Sequence, residues 1–138
     1  MTILVPVDES EASQAGLSAA VDIARSAGED IVLVTVGPLP ETSAQRDEAF
    51  DVLGKHLDQI AGGVTGVKVR TRVQLAGDPV RGILEVADDE KVSQIVMAHT
   101  AGSGAALEMG PFGPGLFDAS VTEDVEKSAS VPVTVVRG

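Results

Sequence analysis

Asp30–Gly37, DIVLVTVG, is apolar at almost every position and decides the fold class. A strand that is half exposed alternates apolar and polar residues, whereas a strand covered on both faces is a continuous apolar run. Thr2–Val7 (TILVPV) and Gln94–Ala98 (QIVMA) are runs of the same kind. These stretches predict the interior of a parallel sheet with helices packed on both of its faces.

Segments with helical spacing separate the apolar runs. Apolar residues recur at three- and four-residue intervals in four predicted helices, from Ser10 to Gly28, Glu41–Ile60, Val80–Asp89 and Ala119–Ser128. Val67–Leu75 alternates strictly, as in an edge strand, and Val131–Val136 is the last predicted strand. The β-α-β-α-β-α-β-α-β order predicts a single α/β domain over residues 1–138. Its sheet is open, five-stranded and parallel, in the order 3-2-1-4-5.

Local signals refine two of the helices. Asp78 is a natural N-cap with Pro79 at the first helical position of the third helix. In the second helix His56 is expected to be solvated. One apolar face of that helix is expected to hold Ala49, Phe50, Leu53, Leu57 and Ile60.

Composition excludes several function classes. The 138 residues include no cysteine, which rules out disulfides, thiolate zinc sites and cysteine nucleophiles. Acidic residues number 21 against 10 basic ones, and the formal net charge of −11 predicts neither a nucleic acid nor a membrane partner. No apolar run approaches the ~20 residues that span a bilayer, and the first residues lack the basic segment of a signal peptide. A cytoplasmic location is therefore expected.

The predicted sheet places a crevice at one edge. Ligands of open parallel sheets bind outside the carboxyl ends of the strands, where the strand order reverses. In the 3-2-1-4-5 order this point lies between strands one and four, which end near Asp8 and His99. The helix that opens at Ala119 and Ser120 directs its N-terminus to the same crevice, and such a terminus favours anions.

Three stretches resemble the universal stress protein A family. They are ILVPVDESEAS (residues 3–13), QIVMAHTAG (residues 94–102) and ASVTEDVEKSASVPVTVVR (residues 119–137). The resemblance runs over the whole chain apart from the glycine-rich segment Thr100–Asp118. It implies an adenine-nucleotide alpha-hydrolase-like fold, a stress-response or regulatory role and a homodimer.

ATP-binding members of that family carry Gly-x-x-Gly, nine residues, and then Gly-Ser or Gly-Thr. In this chain the three glycine positions fall on Ala98, Ala101 and Ala119, and 17 residues separate the last two. Alanine hinders both a positive φ and the close approach of a phosphate, so the resemblance implies that ATP binding is weak or lost. Gly102 and Gly104 leave the alternative open that a rebuilt loop still binds ATP or AMP.

The remaining family positions imply a partial ligand site. Val7 and Val36 match positions that border adenine, Asp8 matches the aspartate near base and ribose, and the phosphate-facing helix start matches Ser120, Val121 and Thr122. The predicted ligand-binding set is Val7, Asp8, Val36, Met97, Ala98, His99, Ala101, Ser120, Val121 and Thr122. The structural alternatives are that Asp8 and Ser120 only cap helices.

No catalytic site is predicted. His99 has no evident triad partner or second metal ligand. The chain lacks a P-loop, a Gly-x-Ser-x-Gly elbow, a dinucleotide fingerprint and the Asp and Lys of a receiver domain. Two function classes remain: a nucleotide-binding stress protein that uses ATP or AMP, and a dimeric module that has lost ATP and works through a partner or another small ligand.

The last strand is the predicted dimer contact. VPVTVV is apolar and lies at the predicted sheet edge, where unpaired backbone groups form a template for another chain. The family resemblance implies that this strand pairs across a two-fold axis through Val131, Val133 and Val135. Pro132 is expected to limit the extent of the ladder.

Overall fold

The computed structural model describes residues 1–8, 12–99 and 119–137. The predictions for the Ser10 cap, for Ala101 and for the segment Thr100–Asp118 lie outside these residues. The described strands are β1 (Thr2–Pro6), β2 (Asp30–Gly37), β3 (Val69–Leu75), β4 (Gln94–His99) and β5 (Val133–Arg137). The described helices are α1 (Ala12–Ala27), α2 (Ser43–Gly62), α3 (Pro79–Glu90) and α4 (Ala119–Ser128).

The strands form one parallel sheet in the order β3-β2-β1-β4-β5. This confirms the predicted fold class and strand order. Consecutive strands β1, β2 and β3 lie side by side, and the chain then crosses back to place β4 on the other side of β1. The strand order therefore reverses between β1 and β4.

Two apolar clusters cover the two faces of the sheet. The cluster beneath α3 and α4 consists of buried Leu4, Val32, Val34, Val36, Ala76, Ile83, Val86, Val92, Ile95, Met97, Val121 and Val125. The cluster beneath α1 and α2 consists of buried Ile3, Val5, Val7, Ala20, Ala24, Ile31, Leu33, Leu57 and Val96. Successive residues of β1 and β2 alternate between the two clusters, which explains why both strands are apolar at nearly every position.

The starts of α2 and α3 follow from their caps. Val80 N–H donates to the side chain of Asp78 (2.9 Å), with Pro79 in the first helical turn, as predicted. Gln45 N–H donates to Thr42 Oγ1 (3.1 Å). The prediction that α2 begins at Glu41 is wrong, because Thr42 supplies the cap.

The predicted apolar face of α2 is wrong at Phe50, which is 44% exposed. A helix of 20 residues is about 30 Å long, whereas the seven residues of β3 span about 23 Å. Leu53 lies against Gly37, the last residue of β2, since a Cβ there would be 2.9 Å from Leu53 Cδ1. The part of α2 before Leu53 therefore extends beyond the end of that strand, whereas Leu57 is fully buried.

His56 is also placed differently from the prediction. Its Nε2 is buried and has no hydrogen-bond partner among the described residues. The residue is half-buried and lies one turn before Ile60, which packs against the cluster beneath α1 and α2. Within the described ranges, no helix combines the length and apolar character that crossing a membrane requires.

Candidate functional site

The candidate site is the crevice between the carboxyl ends of β1 and β4. Val7 continues beyond β1, and its N–H donates to Val34 O of β2 (2.8 Å). Asp8 follows and is only 7% exposed. A carboxylate that is taken out of water must be compensated by polar or charged neighbours, so Asp8 is the chemically distinctive residue of this edge.

The start of α4 lies at the same edge, because α4 connects the end of β4 to the start of β5. The positive end of the helix dipole therefore lies on the crevice side. Val121 is 8% exposed and packs in the cluster beneath α3 and α4, and Thr122 is 3% exposed. The predicted residues Val121 and Thr122 are thus fixed in place by the core. For Ser120 the structure describes the backbone alone, as the second residue of α4.

Val7, Val36 and Met97 are at the predicted strand ends, and the side chains of all three are fully buried. Val7 packs in the cluster beneath α1 and α2, whereas Val36 and Met97 pack beneath α3 and α4. The side chains at these positions therefore support the crevice from within the core.

Ala98 bears on the expectation of weak ATP binding, because alanine is strained only where φ is positive. It lies within β4, and among the described residues Lys91 is the only non-glycine residue with a positive φ. Its methyl group points to α1, where a Cβ built on Gly16 would be 3.4 Å away. Alanine at position 98 therefore causes no backbone strain, and its methyl group lies on the α1 side of the sheet.

His99 and Ala101 remain predictions. His99 is the last residue of β4, and its backbone is in register with Arg137 of β5. The side chain of His99 and the whole of Ala101 lie outside the described part of the chain. No group of three or more potential metal ligands is found within the described residues.

Sequence reasoning missed two kinds of residue near the crevice. Arg137 brings its backbone to the carboxyl edge of the sheet beside His99, although it is remote from β4 in sequence. Gly16 and Gly82 lie inside helices and touch the ends of β4 and β2, the strands on either side of β1. A glycine inside a helical pattern was the available signal.

Comparison with known proteins gives a family match over nearly the whole chain. The family model of the universal stress protein family matches residues 1–137. No curated protein matches the chain.

Several solved structures share the fold. Universal stress protein UspA from Lactobacillus plantarum is 23% identical, with 99% of this chain and 97% of that chain covered and a TM-score of 0.68. A universal stress protein in complex with cAMP is 19% identical, with 99% and 96% covered and a TM-score of 0.69. The universal stress protein from Archaeoglobus fulgidus in complex with dAMP is 25% identical, with 98% and 96% covered and a TM-score of 0.64.

The family match over residues 1–137 agrees with the strand order 3-2-1-4-5. This chain belongs to the universal stress protein family.

Proposed function

We propose that the chain is a dimeric stress-response or regulatory module whose crevice takes a small adenine-type ligand, with ATP bound weakly or not at all. The observation that carries the proposal is a buried carboxylate, Asp8, at the switch point of the sheet, on the same edge as the start of α4. Two relatives of the same fold are in complex with cAMP and dAMP. A cytoplasmic location without nucleic acid or membrane partners fits the net charge of −11.

Charge and loop length support weak binding of a triphosphate. No Lys or Arg occurs between Lys91 and Lys127, and the spacer between Ala101 and Ala119 exceeds that of the family motif by eight residues. Each added phosphate increases repulsion from an acidic protein. Because Ala98 is unstrained, we attribute the weak binding of ATP to Ala101, Ala119 and the longer loop. Adenosine or a monophosphate is therefore the preferred ligand.

Calorimetric titration with adenosine, AMP, cAMP and ATP tests the ligand. We expect ATP to bind at least tenfold more weakly than the best of the other three. Asp8→Asn should lower the affinity for that ligand. Asp22→Asn, on the exposed face of α1, should leave the affinity unchanged. Micromolar ATP affinity would instead favour the alternative, an ATP- or AMP-binding stress protein with a rebuilt glycine-rich loop.

We propose no catalytic activity for the crevice. The described side chains at the strand ends provide one carboxylate, Asp8, among the apolar Val7, Val36 and Met97. Steady ATP hydrolysis above background by the wild-type protein, lost in Asp8→Asn, would contradict this.

The outer edge of β5, which has no neighbouring strand in the part of the chain that the structure describes, supports the proposed dimer. Ile95 N–H donates to Pro132 O (2.9 Å), and Ile95 is in register with Val133. In a parallel ladder one residue bonds to both neighbours of its partner, so the backbone groups of Pro132 and Thr134 face β4. Those of Val133 and Val135 then face away from β4. The missing N–H of Pro132 is therefore on the inner side and does not shorten the outer edge.

Light scattering at tens of micromolar tests the assembly. We expect a mass of two chains, because β5 pairs through its outer backbone groups and Val131, Val133 and Val135 lie along the contact. A monomer at that concentration would refute the dimer and leave the ligand proposal standing.

A further inference from the structure

Three helices carry a glycine in their interior, and the three glycines have different surroundings. They are Gly16 in α1, Gly54 in α2 and Gly82 in α3. Glycine is an unfavourable residue inside a helix. A close contact that only glycine permits can offset this cost, and the atoms that a Cβ would meet differ among the three positions.

Gly82 allows α3 to lie directly on the end of β2. A Cβ at this position would be 2.7 Å from Val36 Cγ1, 3.1 Å from Val36 Cγ2 and 3.3 Å from Ala76 Cβ. Val36 is fully buried, and a valine side chain has few alternative rotamers. The contact could not be relieved without moving α3 or the carboxyl end of β2.

Gly16 allows α1 to lie directly on the end of β4, from the opposite face of the sheet. A Cβ here would be 3.0 Å from Ala98 N, 3.4 Å from Ala98 Cβ and 3.5 Å from Met97 C. Two of these are backbone atoms of a strand that is held in register by β5. The end of β4 would have to give way by a few tenths of an ångström.

Gly54 differs, because a Cβ at this position would meet no heavy atom of the described residues within 4 Å beyond its chain neighbours and its own helix backbone. The two crowded glycines contact the ends of β2 and β4, the neighbours of β1 on either side. We propose that Gly16 and Gly82 are positioning residues that hold these two strand ends in place and so set the width of the crevice at Asp8. Only the ligand measurement below rests on the proposed function.

The first test compares Gly82→Ala, Gly16→Ala and the control Gly54→Ala by denaturant unfolding. Gly54→Ala should raise the ratio of folded to unfolded protein by up to about fivefold, from helix propensity alone. Gly82→Ala should lower that ratio by about tenfold or more, because overpacking outweighs propensity. Gly16→Ala should also give a lower ratio of folded to unfolded protein than the control Gly54→Ala. Equal gains in all three variants would refute the proposal.

A double-mutant cycle assigns the effect to the pair of Gly82 and Val36. Val36→Ala removes both methyl groups that a Cβ at position 82 would meet. In that background Gly82→Ala should lose its penalty and behave like Gly54→Ala. The same penalty in both backgrounds would show that Val36 is not the contact and would refute the assignment.

Amide hydrogen exchange distinguishes positioning from a general loss of stability. Ala76 N–H donates to Gly37 O (2.9 Å) at the crevice end of β2, whereas Ser93 N–H donates to Thr2 O (2.8 Å) at the other edge of the sheet. In Gly82→Ala the exchange of Ala76 should accelerate at least tenfold more than that of Ser93. Equal acceleration of both amides would leave only a structural role and would overturn the proposal.

Titration with AMP adds the functional readout. If the wild-type protein binds AMP, the substitutions Gly82→Ala and Gly16→Ala should lower the affinity for AMP at least tenfold. Gly54→Ala should leave that affinity unchanged. Unchanged AMP affinity in both crowded variants would refute the positioning role. If the wild-type protein binds no adenine compound, the proposed ligand fails, and the exchange measurement still decides on the glycines.

Discussion

At one edge of the sheet β3 presents charged side chains, and at the other edge β5 presents valines. Arg70, Arg72 and Gln74 of β3 point to α3, while Val69 and Val73 pack towards α1 and α2. In β5 the face towards α3 and α4 includes Val133, and the face towards α1 includes Val136. The same sheet therefore ends in a polar strand on one side and an apolar strand on the other.

The charged edge is joined to α3 by a network of ion pairs. Arg72 contacts Asp89 at 2.7 Å and Glu90 at 3.1 Å, and Arg70 contacts Glu90 at 2.9 Å. The hydrogen bond to Asp89 raises the pKa of Arg72 above its ordinary value. Gln74 Nε2 adds a hydrogen bond to Glu85 Oε2 (3.0 Å).

This difference indicates how each edge strand avoids non-specific pairing with strands of other chains. Charged side chains on an edge strand oppose the approach of another strand, whereas an apolar edge is normally covered. The β3 edge is protected by its own charged side chains. The β5 edge would be covered by the second copy in the proposed dimer, so mutations at the two edges can be compared.

Proline substitutions in β5 should give the largest effect. At Val135 a proline removes an outward N–H, so we expect a folded protein whose dimer dissociates at least a hundredfold more readily. At Thr134 a proline removes a bond to β4, so we expect a loss of about 3 kcal/mol in the free energy of unfolding. Sedimentation and thermal unfolding measure the two outcomes. A dimer of unchanged affinity in Val135→Pro would place the interface elsewhere.

Removal of the central cation at the β3 edge should have an intermediate effect. Arg72→Ala leaves Asp89 and Glu90 without that partner, and we expect a loss of about 1–2 kcal/mol in the free energy of unfolding. Lys55→Ala is the matched control. It breaks an exposed pair with Asp51 at 3.2 Å and should cost less than about 0.5 kcal/mol. Similar losses in the two variants would show that the β3 network adds little to stability.

Salt should have the smallest effect. Screening relieves the repulsion among the excess acidic residues and weakens the exposed ion pairs of β3. Because the net charge is −11, we expect the first effect to prevail and the melting temperature to rise by a few degrees in sodium chloride. Arg72→Ala should gain more than the wild type. A flat or falling curve for both proteins would contradict the expectation.

The apolar runs predicted the fold well because a parallel strand covered on both faces has an unmistakable pattern. The strict alternation of Val67–Leu75 predicted an edge strand, but its partners Asp89 and Glu90 are on a helix that follows it, and no local pattern pairs them. The direction of the Ala98 methyl group could not be predicted from the sequence for a similar reason. It depends on how α1 crosses β4, and the matching gap at Gly16 is 82 residues earlier in the chain.

The position of β4 beside β1 also has a consequence for the order of folding. Thr2 pairs with Asp30, 28 residues later, whereas Ile3 pairs with Gln94, 91 residues later. Closing the longer loop costs more chain entropy, and non-local pairings of this kind form slowly. We therefore expect β1 and β2 to associate first and the crevice to form only after β4 has joined them, so that a nascent chain has no binding site until residues 94–99 have been synthesised.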